Sequence, residues 1–121
     1  MSERLSENFR RAEFACRCGC GAAEVDPALV SRLQDLRRRL GRPLVVTSGV
    51  RCAAHNAAVG GAQASEHLTG QGVDVRAVSP REKYEVVAEA MAAGFLRIGV
   101  GREFIHLGVS PSHPGTVLWL Y

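Results

Sequence analysis

His67 and Asp74 flank the segment Leu68-Thr69-Gly70-Gln71-Gly72-Val73, and His106 follows further down the chain. Two imidazoles and one carboxylate are the donor set of a catalytic zinc site, which leaves one coordination position open to water. Structural zinc sites close all four positions and favour cysteine. On a straight strand a separation of seven positions would put His67 and Asp74 on opposite faces. Gly70 and Gly72 let the chain fold back between them, so that both side chains can converge on one ion. His106 joins from a later stretch in which Phe104 and His106 share one face while Ile105 and Leu107 share the other. The plainer alternative is that each histidine is a satisfied polar residue and the pairing with Asp74 has no metal behind it.

Further polar residues extend the pattern. Glu103, three positions before His106, is placed to take a proton from a metal-bound water and return it to a leaving amine. Its alternative is a solvated turn glutamate. Arg51 follows Ser48-Gly49-Val50 and could hold a carboxylate or an oxyanion in its planar fork of donors, or it could be an exposed loop arginine. Cys16, Cys18 and Cys20 alternate with Arg17 and Gly19, and Cys52 directly follows Arg51. This is not the Cys-x-x-Cys spacing of zinc knuckles. A structural zinc site, a disulfide from the loop to Cys52 and free buried thiols all stay open; a disulfide would form only in an oxidising compartment.

The elements that must position these residues can be read from caps and periodicity. Leu5 to Phe14 is an entry segment whose short helical turn buries Phe9 and Phe14, and the Cys-Gly stretch 16–21 is loop. A helix runs from Pro27 to Leu40, with Asp26 as cap, an apolar face of Leu29, Leu33, Leu36 and Leu40, and a stop at Gly41 and Pro43. Leu44 to Thr47 reads as a short buried strand and Ala53 to Ala58 as a short helix. Val73-Asp74-Val75 reads as a strand with both valines inward. Ser79-Pro80-Arg81-Glu82 is a capping box, opening a helix that runs to about Ala93. Leu96–Val100 and Phe104–Val109 form a hairpin turning near Gly101-Arg102, and Val117–Tyr121 is a terminal strand. Helices and strands mix without regular alternation, so the expected class is α+β with a small antiparallel sheet flanked by helices.

The chain has 121 residues, 46% of them hydrophobic and 22% charged, with a formal net charge of +3. That suits a single folded domain over 1–121. The basic residues are scattered apart from Arg37-Arg38-Arg39, and no aromatic-interleaved stripe accompanies them, so nucleic acid is not an expected partner. No apolar run reaches membrane-spanning length, so no membrane partner is expected. The first eight residues are polar and carry no signal-peptide core, so the chain is expected in the cytoplasm at synthesis.

Taken together, Ser48-Gly49-Val50-Arg51-Cys52, His55-Asn56, Val59-Gly60-Gly61, Ser65-Glu66-His67-Leu68-Thr69-Gly70-Gln71-Gly72-Val73-Asp74 and Glu103-Phe104-Ile105-His106 resemble the M15 family of zinc D-Ala-D-Ala peptidases. The nearest likeness is to a small subfamily with a C-x-C-G-C-G loop, and it extends from about Leu5 to Tyr121. The resemblance implies the fold shared with the hedgehog signalling domain. It also implies one catalytic zinc held by His67, Asp74 and His106, with Glu103 as general base. Arg51 would bind substrate and hold the oxyanion, and Ser65 would lie near the substrate. The implied partner is a peptidoglycan stem peptide, the implied site of action the cell wall or periplasm, and the implied state a monomer. With no long insertion after Val109 to form a lid, an open groove and endopeptidase cleavage are favoured over carboxypeptidase cleavage. The rival readings are a non-catalytic, hedgehog-like zinc module that binds without cutting, against which Glu103 speaks, and a zinc amidase. Two positions depart from the pattern. Many relatives carry alanine where Gly72 stands, a sterically harmless change, and many carry aspartate where Gly108 stands, which puts support of the site there in doubt.

Overall fold

A computed structural model describes residues 2–121; Met1, included in the expected 1–121 domain, lies outside them. The entry segment is fastened before the first long helix begins. Phe9 and Phe14 are buried, the latter in a 3-10 turn over Arg11–Phe14. Buried Gln34 accepts from Ser6 Oγ and the Asn8 amide and donates to the Asn8 side chain. Helix α1, Pro27–Leu40, starts where its cap predicts: Asp26 accepts the Ala28 amide at 2.8 Å, Pro27 takes the first turn and left-handed Gly41 ends it. Helix α2 is Ala53–Ala58, and helix α3, Pro80–Ala92, opens on the reciprocal Ser79–Glu82 capping box.

Five strands form one sheet: β1 (Val46–Ser48), β2 (Gly72–Arg76), β3 (Arg97–Val100), β4 (Phe104–Gly108) and β5 (Val117–Leu120), in the order β1-β2-β4-β3-β5. The class is α+β, as the mixture of elements implies. The sheet is mixed, however, because β5 runs parallel to β3 while the other pairs are antiparallel. Gly108 at the end of β4 and Val117 at the start of β5 both pair with Arg97, so the connecting loop returns to the same end of β3 and β5 must run alongside it. β1 begins two residues later than its apolar run suggests: Leu44 is buried, but Val45 is 54% exposed, and a bulge separates Val46 from Ser48.

Alternation along β2 and β4 divides the sheet into two faces. Val73, Val75, Ile105 and Leu107 are fully buried against Leu29, Leu33 and Leu36 of α1 and Val86 and Ala90 of α3. On the other face the register aligns Ser48, Asp74, His106, Gly99 and Trp119 in one row across all five strands. The site is built on that row.

Candidate active site

Two of the three expected donors, Asp74 and His106, are cross-strand neighbours, which fixes their separation by register. The third, His67, lies in a 3-10 helix, Glu66–Thr69, capped at its start by the Ser65 hydroxyl and at its end by left-handed Gly70. The glycine reverses the chain, so that β2 brings Asp74 back under His67. Gly72 contributes by its smallness: a Cβ there would stand 2.6 Å from Glu66 Cβ and 2.8 Å from His106 Cε1. Alanine at position 72 is therefore not harmless in this chain, as its neighbours would have to shift.

Asp74 Oδ1 lies 3.2 Å from His67 Nε2 and 2.9 Å from His106 Nδ1. Donors about 2.0–2.1 Å from a tetrahedral zinc would stand about 3.3 Å apart, so this spacing needs little adjustment to take an ion. The opposite nitrogen of each ring is already engaged. His67 Nδ1 donates to the Gly49 carbonyl at 2.7 Å, and His106 Nε2 meets Glu66 Oε1 at 3.1 Å. Such outer partners fix tautomer and ring orientation and make each inward nitrogen a better ligand. All three side chains are buried. The residues therefore fit a metal, with three donors and one tetrahedral position left over.

Glu66, which the sequence reading passed over as the unassigned residue of Ser-x-His, is 3% exposed. Besides His106 it accepts from Arg97 Nε at 2.9 Å and from the Ser110 amide at 3.0 Å. Its carboxylate fills the space that any side chain at position 108 would need, so Gly108 is the condition for its presence. Burial alone would raise the Glu66 pKa; the bonds from His106, Ser110 and Arg97 outweigh it and hold the group at about 2. For Asp74 burial again pushes upward, and the two histidines bring it down to about 2. Burial would lower the His106 pKa, but Asp74 and Glu66 raise it.

Arg51 is half-buried beside the donors. It donates to Ser48 Oγ and Asn56 Oδ1, both at 3.2 Å, and reaches Asp74 Oδ2 at 3.5 Å. Asn56, buried in α2, is a second residue quoted in the family pattern to which sequence reasoning assigned no role. It donates to the Ala62 carbonyl, and Gly61 leaves room for both Asn56 and Arg51. Around these groups opens a cleft of about 520 Å³, whose walls include Ser65, Phe104, His113, Trp119 and Tyr121. Ser65 lines it with its hydroxyl already accepting the His67 amide at 3.2 Å. Trp119 lies over Gly99, its ring centroid 5.5 Å from that of His106, with Arg97 stacked on the indole. His113 links Ser110 Oγ to the Ala64 carbonyl and so ties the β4–β5 loop across one side of the cleft.

Glu103 is not among the residues lining this cleft; it is exposed at the β3–β4 turn, with its carbonyl accepting from the Ala77 amide. A three-residue spacing along an extended chain sets it with Ile105 and not with His106. Arg51, Ser65, His67, Asp74 and His106 thus come together, and Glu103 stands apart from them.

An α+β sheet here presents two imidazoles and a carboxylate, a donor set that could hold a metal ion, at the floor of an open cleft. The peptidase M15 family model matches residues 7–108, and the chain belongs to that family. No curated protein matches it significantly. The matched stretch includes all three donors, Arg51, Glu66 and Glu103, and ends before the loop and strand that bring His113, Trp119 and Tyr121 to the cleft.

Proposed function

We propose that this protein is a zinc peptidase that hydrolyses peptide bonds in peptidoglycan stem peptides. The observation that carries the reading is the convergence of His67 Nε2, Asp74 Oδ1 and His106 Nδ1 at the cleft floor, each ring held from behind by its own acceptor. A zinc ion held there supplies Lewis acidity and a water of pKa near 7. The protein's own groups do the rest. The Gly49 carbonyl and Glu66 keep both rings in the ligating tautomer. Arg51, braced by Ser48 and Asn56, offers its guanidinium to the oxygen that gains charge during attack. The aromatic wall of Phe104, Trp119 and Tyr121 gives an extended peptide a surface to lie along.

Glu103 is the proton acceptor in this reading by family resemblance alone. The two carboxylates of the cleft are both committed, Asp74 to the donor set and Glu66 to His106, Arg97 and Ser110. The same fact favours one second reading, a metal-holding module that binds wall peptide without cutting it. Between the cleavage modes we retain endopeptidase over carboxypeptidase, since the 110–116 loop that follows β4 is short. The test is incubation of the zinc-loaded chain, the chelated chain and His106→Ala with intact muropeptides and with a defined pentapeptide stem, read by product mass. Internal cleavage by the zinc-loaded chain alone is expected. Free D-Ala as sole product would overturn the endopeptidase assignment, and binding without any product would leave the second reading in its place.

A further inference from the structure

The second group of ligating side chains lies outside the cleft. Cys16, Cys18, Cys20 and Cys52 bring their four sulfurs within 4.8 Å of one another. All four are free thiols. Cys16 Sγ is 3.5 Å from Cys18 Sγ, and Cys18 Sγ is 3.7 Å from Cys52 Sγ. Zinc–sulfur bonds of about 2.3 Å at tetrahedral angles put neighbouring sulfurs about 3.8 Å apart, so these separations are those of the edges of such a site.

This gathering is built by the backbone. Along an extended strand the α-carbons of Cys16 and Cys20 would be about 13 Å apart. Here Gly19 and Gly21 both adopt left-handed conformations, the Gly19 amide donates back to the Cys16 carbonyl at 3.2 Å, and the Cys16 amide donates to the Ala22 carbonyl at 2.7 Å. The loop curls, and three alternate sulfurs point to one place. The fourth arrives from the turn after β1. Two amides also point at sulfur: Cys52 N–H toward Cys16 Sγ at 3.5 Å and His55 N–H toward Cys52 Sγ at 3.4 Å. Donors so placed are the outer hydrogen bonds that orient sulfur ligands around a metal.

We infer that Cys16, Cys18, Cys20 and Cys52 form a second metal centre, a closed four-thiolate site for zinc that is structural and separate from the His67–Asp74–His106 donors. Thiolates alone select a soft ion over magnesium or calcium, and four protein ligands leave no position for water. Its role follows from what adjoins Cys52. The segment 49–52 supplies the carbonyl that holds His67 and the guanidinium beside Asp74, and its Val50 amide donates to the Phe14 carbonyl at 2.8 Å. A metal joining loop 16–20 to Cys52 fixes that segment from its far side.

The experiment is metal analysis of the full chain purified under reductant, followed by cobalt substitution. About two zinc ions per chain are expected, falling to about one in Cys52→Ser and, independently, to about one in His67→Ala. Cobalt should give an intense near-ultraviolet thiolate charge-transfer band in the wild type and in His67→Ala. A reduced wild-type chain that lacks this band, or whose four thiols alkylate as fast with metal as with chelator, would overturn the proposal, as would recovery of these cysteines as disulfides from that preparation. Should Cys52→Ser fail to fold, the wild-type spectrum and alkylation rates still decide. Peptidase activity does not enter these readouts, so failure here and failure of the proposed function are distinguishable.

Discussion

Glu66 connects two strands and the loop that follows them to one imidazole, since it touches His106 of β4, Arg97 of β3 and the Ser110 amide beyond β4. Removing its carboxylate would leave Arg97 and His106 with unpaired polar atoms in a buried place. Glu66→Ala should therefore destabilise the chain by about 3–5 kcal/mol, the scale for breaking one side of a buried ion pair. Glu66→Gln keeps the volume and one acceptor, so it should fold and weaken metal binding by about 10–100-fold, measured by competition with a chelator. Because Gly108 makes room for this carboxylate, the two positions should be coupled. Gly108→Asp should disrupt the site when Glu66 is present, yet recover metal binding in a Glu66→Ala background; additive losses in the double variant would reject the coupling. The family resemblance leads to the expectation of an aspartate at position 108; this chain has glycine there, and the Glu66 carboxylate occupies the space. Glu103 poses the opposite case, since it has a proposed role but no seat in the cleft. Glu103→Gln should keep fold and metal and lose turnover by at least ~100-fold, the scale of a general base. Near-normal turnover would return Glu103 to the solvated turn residue that its exposure describes.

The elements reach the site through register, and the row Ser48–Asp74–His106–Gly99–Trp119 can be tested where it has no side chain. A Cβ on Gly99 would stand 2.6 Å from Trp119 Cε2, so Gly99→Ala must push the indole off the sheet. Overpacking of this kind costs about 1–3 kcal/mol. Trp119 is the only tryptophan, so its emission should shift to the red in that variant. An unchanged spectrum would mean that the indole does not rest on Gly99. Much of the element list was legible from local chemistry. Asp26-Pro27, Gly41 and the Ser79–Glu82 box mark α1 and α3 because caps act within one turn. The facing of His106 followed from alternation alone. What stayed hidden was set by distant residues. Val117–Leu120 reads as a strand, but its partner and direction depend on a loop returning to Arg97. Glu66 gives no local sign of burial, because the groups that satisfy it lie 31, 40 and 44 positions away.

At the scale of the molecule, the core and the donor set lie on opposite faces of the same sheet. The core face carries fully buried Val73, Val75, Ile105 and Leu107 and two capped helices, and none of these side chains is a ligand. Metal removal from the His67–Asp74–His106 face should therefore weaken the protein without dissolving it. An ion present at about 1,000 times its Kd adds about 4 kcal/mol to the folded state. For a domain of this size each kcal/mol moves the Tm by several degrees, so stripping that ion should lower the Tm by more than about 10 °C. Buried His67, Asp74 and His106 would then keep their outer partners, the Gly49 carbonyl, Arg51 and Glu66 respectively, and the three-way contact at Asp74 Oδ1 explains how the apo fold can still tolerate them. The expected chelator titration in the Cys52→Ser background, where the thiolate centre cannot contribute, is a lower but still cooperative thermal transition with far-ultraviolet dichroism retained. Loss of cooperativity in His67→Ala, with the cysteines intact and zinc present, would show instead that the cleft face is part of the folding core, contrary to this division of the sheet.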